Sequence, residues 1–416
     1  KALGKESTAL GVRAEALKEY STALGGESAA KGKYDLAAGY QSIASGGEST
    51  AVGFKSQSTG FGSNAIGNAS LAAGYYSTAI GHEAKATAER TLAAGHGATA
   101  SGKNSTAVGL DSQSTDVGAT AIGNYSVAEG FYSTAVGTEA RAKKEYDLAA
   151  GHEAIASGGQ STAMGYQSKA SGIASNAIGR NANASGDLST ALGADSVAQG
   201  KISAAIGREA KALGEESFAV GTKAEALGKY STALGNQSTA KKEFDLAVGH
   251  TAIASGEQST AVGFKSESTG LASNAIGGQS VAAGKYSTAV GHKAQATADS
   301  TLAAGQGAIA SGKQSTAVGL DSKSTGETSI AIGTTSLAAG NFSTAVGNGA
   351  HAEKVLDLAV GHKANASGGQ STAVGLDSKS TGFASNAIGG YSVAKGDYST
   401  AVGYGAHAEK AADLAA

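Results

Sequence analysis

Residues 47–60 read GESTAVGFKSQSTG, and this stretch of 14 residues sets the plan of the whole chain. Stepping by 14 from Gly11 reaches Gly25, Gly39, Gly53, Gly67 and Gly81, and the series runs unbroken to Gly403, 29 glycines in all. If that glycine is site 7 of a coil, Gly47 is site 1 of its own. Site 5 is then Ala in all 30 copies, from Ala9 to Ala415. Site 6 is Val, Ile, Leu or Met in 25 of 30 copies and Ala in the rest. Sites 10 and 12 hold only Ala or Ser, and site 14 is Gly in 22 of 30 copies. Sites 9, 11 and 13 vary freely and carry many of the charges.

A repeat of this length is one supersecondary unit that stacks on its neighbours. A glycine every seven residues costs a helix roughly 1 kcal/mol each relative to alanine, so helix is excluded. Small residues alternate within each half of the coil, which is the strand period of two. The expectation is two short strands and two tight turns per coil, with glycine supplying the positive φ of the turns. Coils then stack through parallel ladders about 4.8 Å apart. The fold class predicted is an all-β parallel β-roll, one continuous body over residues 1–416.

Parity follows from side-chain size. Sites 10 and 12 are always small while 11 and 13 take Lys, Glu and Gln, so 10 and 12 point inward, with sites 3 and 5 facing them. Site 6 then points out of the coil. It forms an aliphatic row through Val52, Ile66, Ile80, Val108, Ile122, Val136, Ile178, Ile206, Val262, Ile276, Val290, Val318, Ile332, Val374 and Ile388. Site 4, on the same face, is mostly Thr and never charged. A monomer rarely leaves so long an apolar patch in water. The five coils with Ala at site 6 (Ala38, Ala94, Ala150, Ala304 and Ala416) all carry Leu at site 4. Volume lost at one site returns at its neighbour, as packing against a partner requires. The row is therefore expected to be buried against other copies of the chain. The opposite parity would place site 6 inside a lone coil and turn alanine out.

Composition narrows the chemistry. The chain has 416 residues, 63 of them Gly, with no Pro, Cys or Trp. No disulfide framework or thiolate metal site can form. With 32 basic and 34 acidic residues the net charge is −2, which predicts no nucleic-acid partner and no contact with a membrane surface. No run of 18 apolar residues exists to span a bilayer. Lys1 and Ala416 fall in mid-repeat, so the chain reads as a piece of a longer protein.

A longer period overlies the coil. YDLAAG at 34–39 recurs as RTLAAG at 90–95 and YDLAAG at 146–151, four coils apart, then as FDLAVG at 244–249, STLAAG at 300–305 and LDLAVG at 356–361. The phase breaks between 147 and 244, where Ala204 and Phe218 replace the usual site 4 Thr. Duplication of a four-coil unit explains the pattern; a bend or binding patch is the alternative. In four special coils Lys stands three residues before Asp: Lys144 and Asp147, Lys242 and Asp245, Lys354 and Asp357, Lys410 and Asp413. These are expected to be exposed local ion pairs worth under about 1 kcal/mol. Asn64, Asn176, Asn274 and Asn386 sit at site 4, where a polar residue in a seam fixes register.

No catalytic, cofactor or metal site stands out. Six of the eight histidines lie at site 8, among them His82 and His96 in adjacent coils, without converging acidic or thiol ligands. No nucleophile elbow or paired carboxylate rises above the repeat, so the chain is not expected to be an enzyme. The aromatics are more informative. Of 22, 14 fall at sites 1 and 2, on one turn edge, and five at site 8, on the other. Phe61, Tyr75 and Tyr76 form one cluster and Phe131 with Tyr132 another. Exposed aromatics anchor interfaces, so these five are candidate partner-binding residues. Covering seams between protomers is the plainer role.

SNAIG at 63–67, 175–179, 273–277 and 385–389, with STAVG and STAIG in most other coils, resembles the head repeat of YadA-like trimeric autotransporter adhesins. The likeness runs the length of the chain. It implies a left-handed parallel β-roll assembled as a homotrimer around the aliphatic face. It also implies display at a bacterial cell surface, with outer-membrane anchoring through other regions. The partners it implies are host matrix proteins such as collagen, fibronectin or laminin, or a CEACAM-type receptor. Two other functions fit the pattern. An ice-binding solenoid would use the site 4 Thr row, and a passive spacer or self-association module would need no receptor.

Overall fold

A computed structural model describes residues 1–416. The chain is an all-β parallel β-solenoid of about 29 turns. It divides into two compact units, Lys1–Glu209 and Ala210–Ala416.

Within Lys1–Glu209 each coil contributes a strand of three residues over sites 4 to 6 and one of two residues over sites 11 and 12. Thr50–Val52 pairs in parallel with Asn64–Ile66, and Ile43–Ala44 with Gln57–Ser58, each residue opposite its equivalent 14 positions on. Ala210–Ala416 is built the same way, with Thr260–Val262 on Asn274–Ile276 and Ile253–Ala254 on Glu267–Ser268. The register never slips, so each site forms a straight row along its unit. This is why parity matters: a slip of one residue would turn every row inside out.

The interior is thin. Ala65, Ala72, Ala79, Ala84 and Ala86 are fully buried, as are the equivalent alanines of other coils. Serines fill most of the remaining positions, and many of them bond within the core. Ser63 Oγ donates to the Gly60 carbonyl at 2.7 Å and lies 2.6 Å from Ser58 Oγ. The largest fully buried side chains are four aspartates, Asp35, Asp147, Asp245 and Asp357. Nothing aliphatic larger than alanine is fully buried, which places sites 3, 5, 10 and 12 inside.

The turns depart from expectation in one respect. The site 7 glycines do have positive φ, for example +137° at Gly67, where a Cβ would also run into the Gly81 carbonyl. The site 14 glycines Gly60 and Gly74 do not; they are glycine because a Cβ would collide with the carbonyl of the next coil. The left-handed turn positions are instead sites 2 and 9, held by ordinary residues such as Tyr76 (φ 52°), Glu83 (56°) and Tyr132 (49°). A left-handed residue costs roughly 1–2 kcal/mol. The inter-coil ladder offsets it: Tyr76 N donates to the Phe61 carbonyl at 2.9 Å and Glu83 N to that of Asn68 at 2.9 Å.

The lysine–aspartate coils also differ from the sequence reading. Their aspartates are not exposed ion-pair partners. Asp147 is buried, and it accepts from backbone N–H groups rather than from the Lys144 ammonium. Lys144 N donates to Oδ2 at 2.9 Å. Gly159 N and Ser161 N donate to Oδ1 at 2.9 Å each, and Ser161 Oγ at 2.7 Å. Asp357 repeats all four bonds with Lys354, Gly369 and Ser371. In several ordinary coils the site 3 Ser donates to the site 14 carbonyl, as Ser21, Ser63, Ser273 and Ser385 do. Asp reverses the direction and takes N–H groups from the coil that follows. A buried carboxylate is tolerable only when so fully bonded.

Candidate functional site

Two surfaces stand out: the face carrying sites 4 and 6, and the two turn edges. On the face, the strand period that buries each site 5 alanine turns sites 4 and 6 outward together. Ile66, Ile80, Ile122, Val136, Ile178, Ile276, Val290, Ile332 and Ile388 are exposed, Ile66 at 42%. Val52, Val108, Ile206, Val262, Val318 and Val374 are half-buried. All fifteen residues singled out in the sequence thus lie outside their own coil. Their flanks are mostly Thr and Asn at site 4, with Leu302, Ile330 and Leu414 the exposed aliphatics there. In a single chain nothing covers the row.

The turn edges carry the aromatics. Phe61 lies 5.7 Å from Tyr76, edge to face, and 6.1 Å from Tyr75. Phe131 and Tyr132 meet at 4.5 Å and 90°, and Tyr146 extends the cluster at 6.1 Å from Tyr132. Phe61 is half-buried; Tyr75, Tyr76, Phe131 and Tyr132 are exposed. Sequence reasoning singled out these five but missed further stacked pairs. Tyr20 and Tyr34 stack at 5.0 Å with planes 5° apart, and Tyr230 and Phe244 at 4.9 Å. On the opposite edge Tyr40 stacks on Phe54, His82 on His96 at 4.7 Å, and His152 on Tyr166. The signal was available, because any two aromatics 14 residues apart occupy adjacent rungs of one row.

Lysines border the ladders. Lys33 lies 3.1 Å from Glu19 and 5.2 Å from the Tyr34 ring, and Lys229 lies 3.0 Å from Glu215 and 4.9 Å from the Tyr230 ring. Hydrogen bonds that the ammonium groups donate to Glu19 and Glu215, reinforced by the carboxylate charge, hold both lysines above their ordinary range. No group of three or more His, Cys, Asp or Glu side chains converges to hold a metal.

An Ala/Ser interior and an outer row that is aliphatic in 25 of 30 coils define a class: short-coil parallel β-solenoids with one apolar outer face. The family model described as "YadA head domain repeat (2 copies)" matches in overlapping and adjoining segments from 2–28 to 380–406. The chain belongs to the YadA head family. Among solved structures, the crystal structure of the collagen-binding domain of the Yersinia adhesin YadA is similar at 25% identity, covering 36% of this chain and 68% of that one with a TM-score of 0.24. No curated protein matches the chain.

Proposed function

We propose that this chain is the adhesive head of a bacterial surface fibre, assembled as a homotrimer and binding a host matrix protein or cell-surface receptor. The observation that carries the reading is the outward aliphatic row. Fully burying one such side chain is worth roughly 1.5–3 kcal/mol. Even half of that, summed over the row, favours obligate association. Family membership supports three copies around the row and display at the outer membrane. Collagen, fibronectin, laminin and CEACAM-type receptors are the partners to test. The exposed edges with Tyr75, Tyr76, Phe131 and Tyr132 supply anchors of the kind that dominate protein interfaces. The role is binding, without catalysis.

Introducing Ile66→Asp and Ile122→Asp together tests the assembly. Charges facing one another across a dry seam should dissociate the oligomer while circular dichroism keeps its strand signal. An intact oligomer would refute the buried-row reading. Immobilised collagen, fibronectin, laminin and a CEACAM-type ectodomain then test the ligand. Saturable binding to one of them that weakens with Tyr75→Ala and Tyr132→Ala supports the edge, and failure on all of them refutes the partner assignment.

A further inference from the structure

The buried aspartates have a consequence on the turn edge. After each one, the next coil turns differently, and site 1 also takes positive φ: Gly47 (+79°), Gly159 (+86°), Glu257 (+67°) and Gly369 (+87°). In two of these coils the aspartate visibly draws the site 1 N–H inward, Gly159 to Asp147 and Gly369 to Asp357. The backbone does not require a missing side chain there, since Glu257 carries one. Glycine at 47, 159 and 369 therefore leaves a vacant rung in a row that elsewhere bears side chains.

At Gly369 the vacancy is a notch of about 520 Å³. That lies within the about 300–1,000 Å³ of small-ligand sites. Its walls are Phe383 one coil after and, opposite, Val355 with the aliphatic stem of Lys354, whose Cβ and Cδ come within 3.9 Å of where a Gly369 Cβ would stand. Phe383 is 40% exposed and its ring comes within 3.7 Å of where a Gly369 Cβ would stand. Rings one coil apart in this molecule lie 4.7–6.1 Å from each other, so the empty rung has room for one ring with a neighbour on each side. The mouth is polar: Asn341, Glu353, Lys354 and Gln370 surround it.

We propose that this notch binds a pyranose ring of a glycan. A sugar lays its C–H face on Phe383, whose ring face is electron-rich, and on Val355. Its hydroxyls meet donors and acceptors of both kinds at the rim. A phenyl or prolyl side chain would fill the rung as well but would make no hydrogen bonds to those four exposed polar groups. The turns at Gly47 and Gly159 share the backbone, but Lys33 and Glu145 stand where Val355 does, and Ile173 rather than an aromatic ring follows Gly159. The site belongs to a single chain and stands whether or not the aliphatic face is covered by other copies.

Saturation-transfer difference NMR on the full chain tests it, with methyl glucopyranoside, methyl galactopyranoside, N-acetylglucosamine and N-acetylneuraminic acid as probes and N-acetyltyrosine amide as the aromatic comparison. Transfer to ring protons of at least one pyranose is expected. It should vanish in Gly369→Glu, which copies the Glu257 arrangement, and in Phe383→Ala, which removes an exposed wall and leaves the core intact. Silence from every pyranose overturns the proposal, as does transfer that survives Phe383→Ala, or transfer to the tyrosine amide alone. The dissociation test with Ile66→Asp reads a different surface, so either proposal can fail without the other.

Discussion

Residues in this chain are fixed by how closely neighbouring coils approach. Gly67 must be glycine twice over, for its φ and for the Gly81 carbonyl beside it. Gly67→Ala is expected to loosen the ladder locally, so amides of Gly67 and Gly81 should exchange faster with deuterium, while Lys85→Ala on the outer face should leave them unchanged. Asp147 is fixed by hydrogen bonding. Asp147→Ala would strand buried donors at Lys144, Gly159 and Ser161, at about 1–3 kcal/mol for each one left unpaired. Exchange protection at Gly159 and Ser161 should fall, and Lys144→Ala should do nothing, because only its backbone takes part. The unvarying site 5 alanine was legible in the sequence because a thin core admits nothing larger. Asp147 was misread as a surface partner because lysine three residues away mimics an ion pair, and spacing does not say which atom of lysine faces the acid. The left-handed sites 2 and 9 were hidden for a related reason. Their side chains are free, as Tyr76 and Glu83 show, while only the backbone is constrained.

Coils are the elements of this fold, and they compensate as units. Leu92 and Ala94 share the outer face of one coil where its neighbours carry Thr78 with Ile80 and Thr106 with Val108. Leu92→Thr alone creates a Thr with Ala pairing that no coil of the chain has, and it should underfill the seam between copies and shift assembly toward smaller species in sedimentation. Pairing it with Ala94→Val should restore the normal size. A coil whose site 6 packed its own interior would instead lose thermal stability as a monomer, without a change in mass. The aromatic ladders are a second property of neighbouring coils. Tyr20 over Tyr34 and Tyr230 over Phe244 follow from a spacing of 14, so the rows were readable; the vacant rung at Gly369 was not, because it depends on the turn that Asp357 imposes.

At the scale of the whole molecule, two size rules decide the outcome: the interior holds only Ala, Ser, an occasional Thr such as Thr91 and Thr301, and a fully bonded Asp, and the larger aliphatics are turned outward as a result. The fold class and the parity were legible because the repeat supplies thirty readings of each site. The ligand was not, since the variable sites that would contact it differ from coil to coil. The account rests on the aliphatic row being covered by sister chains. Sedimentation equilibrium of the purified chain tests that most directly. The mass should be three times the 40.2 kDa of one chain and fall to a single chain's mass with Ile66→Asp and Ile122→Asp. A species of one chain's mass before any substitution would contradict it.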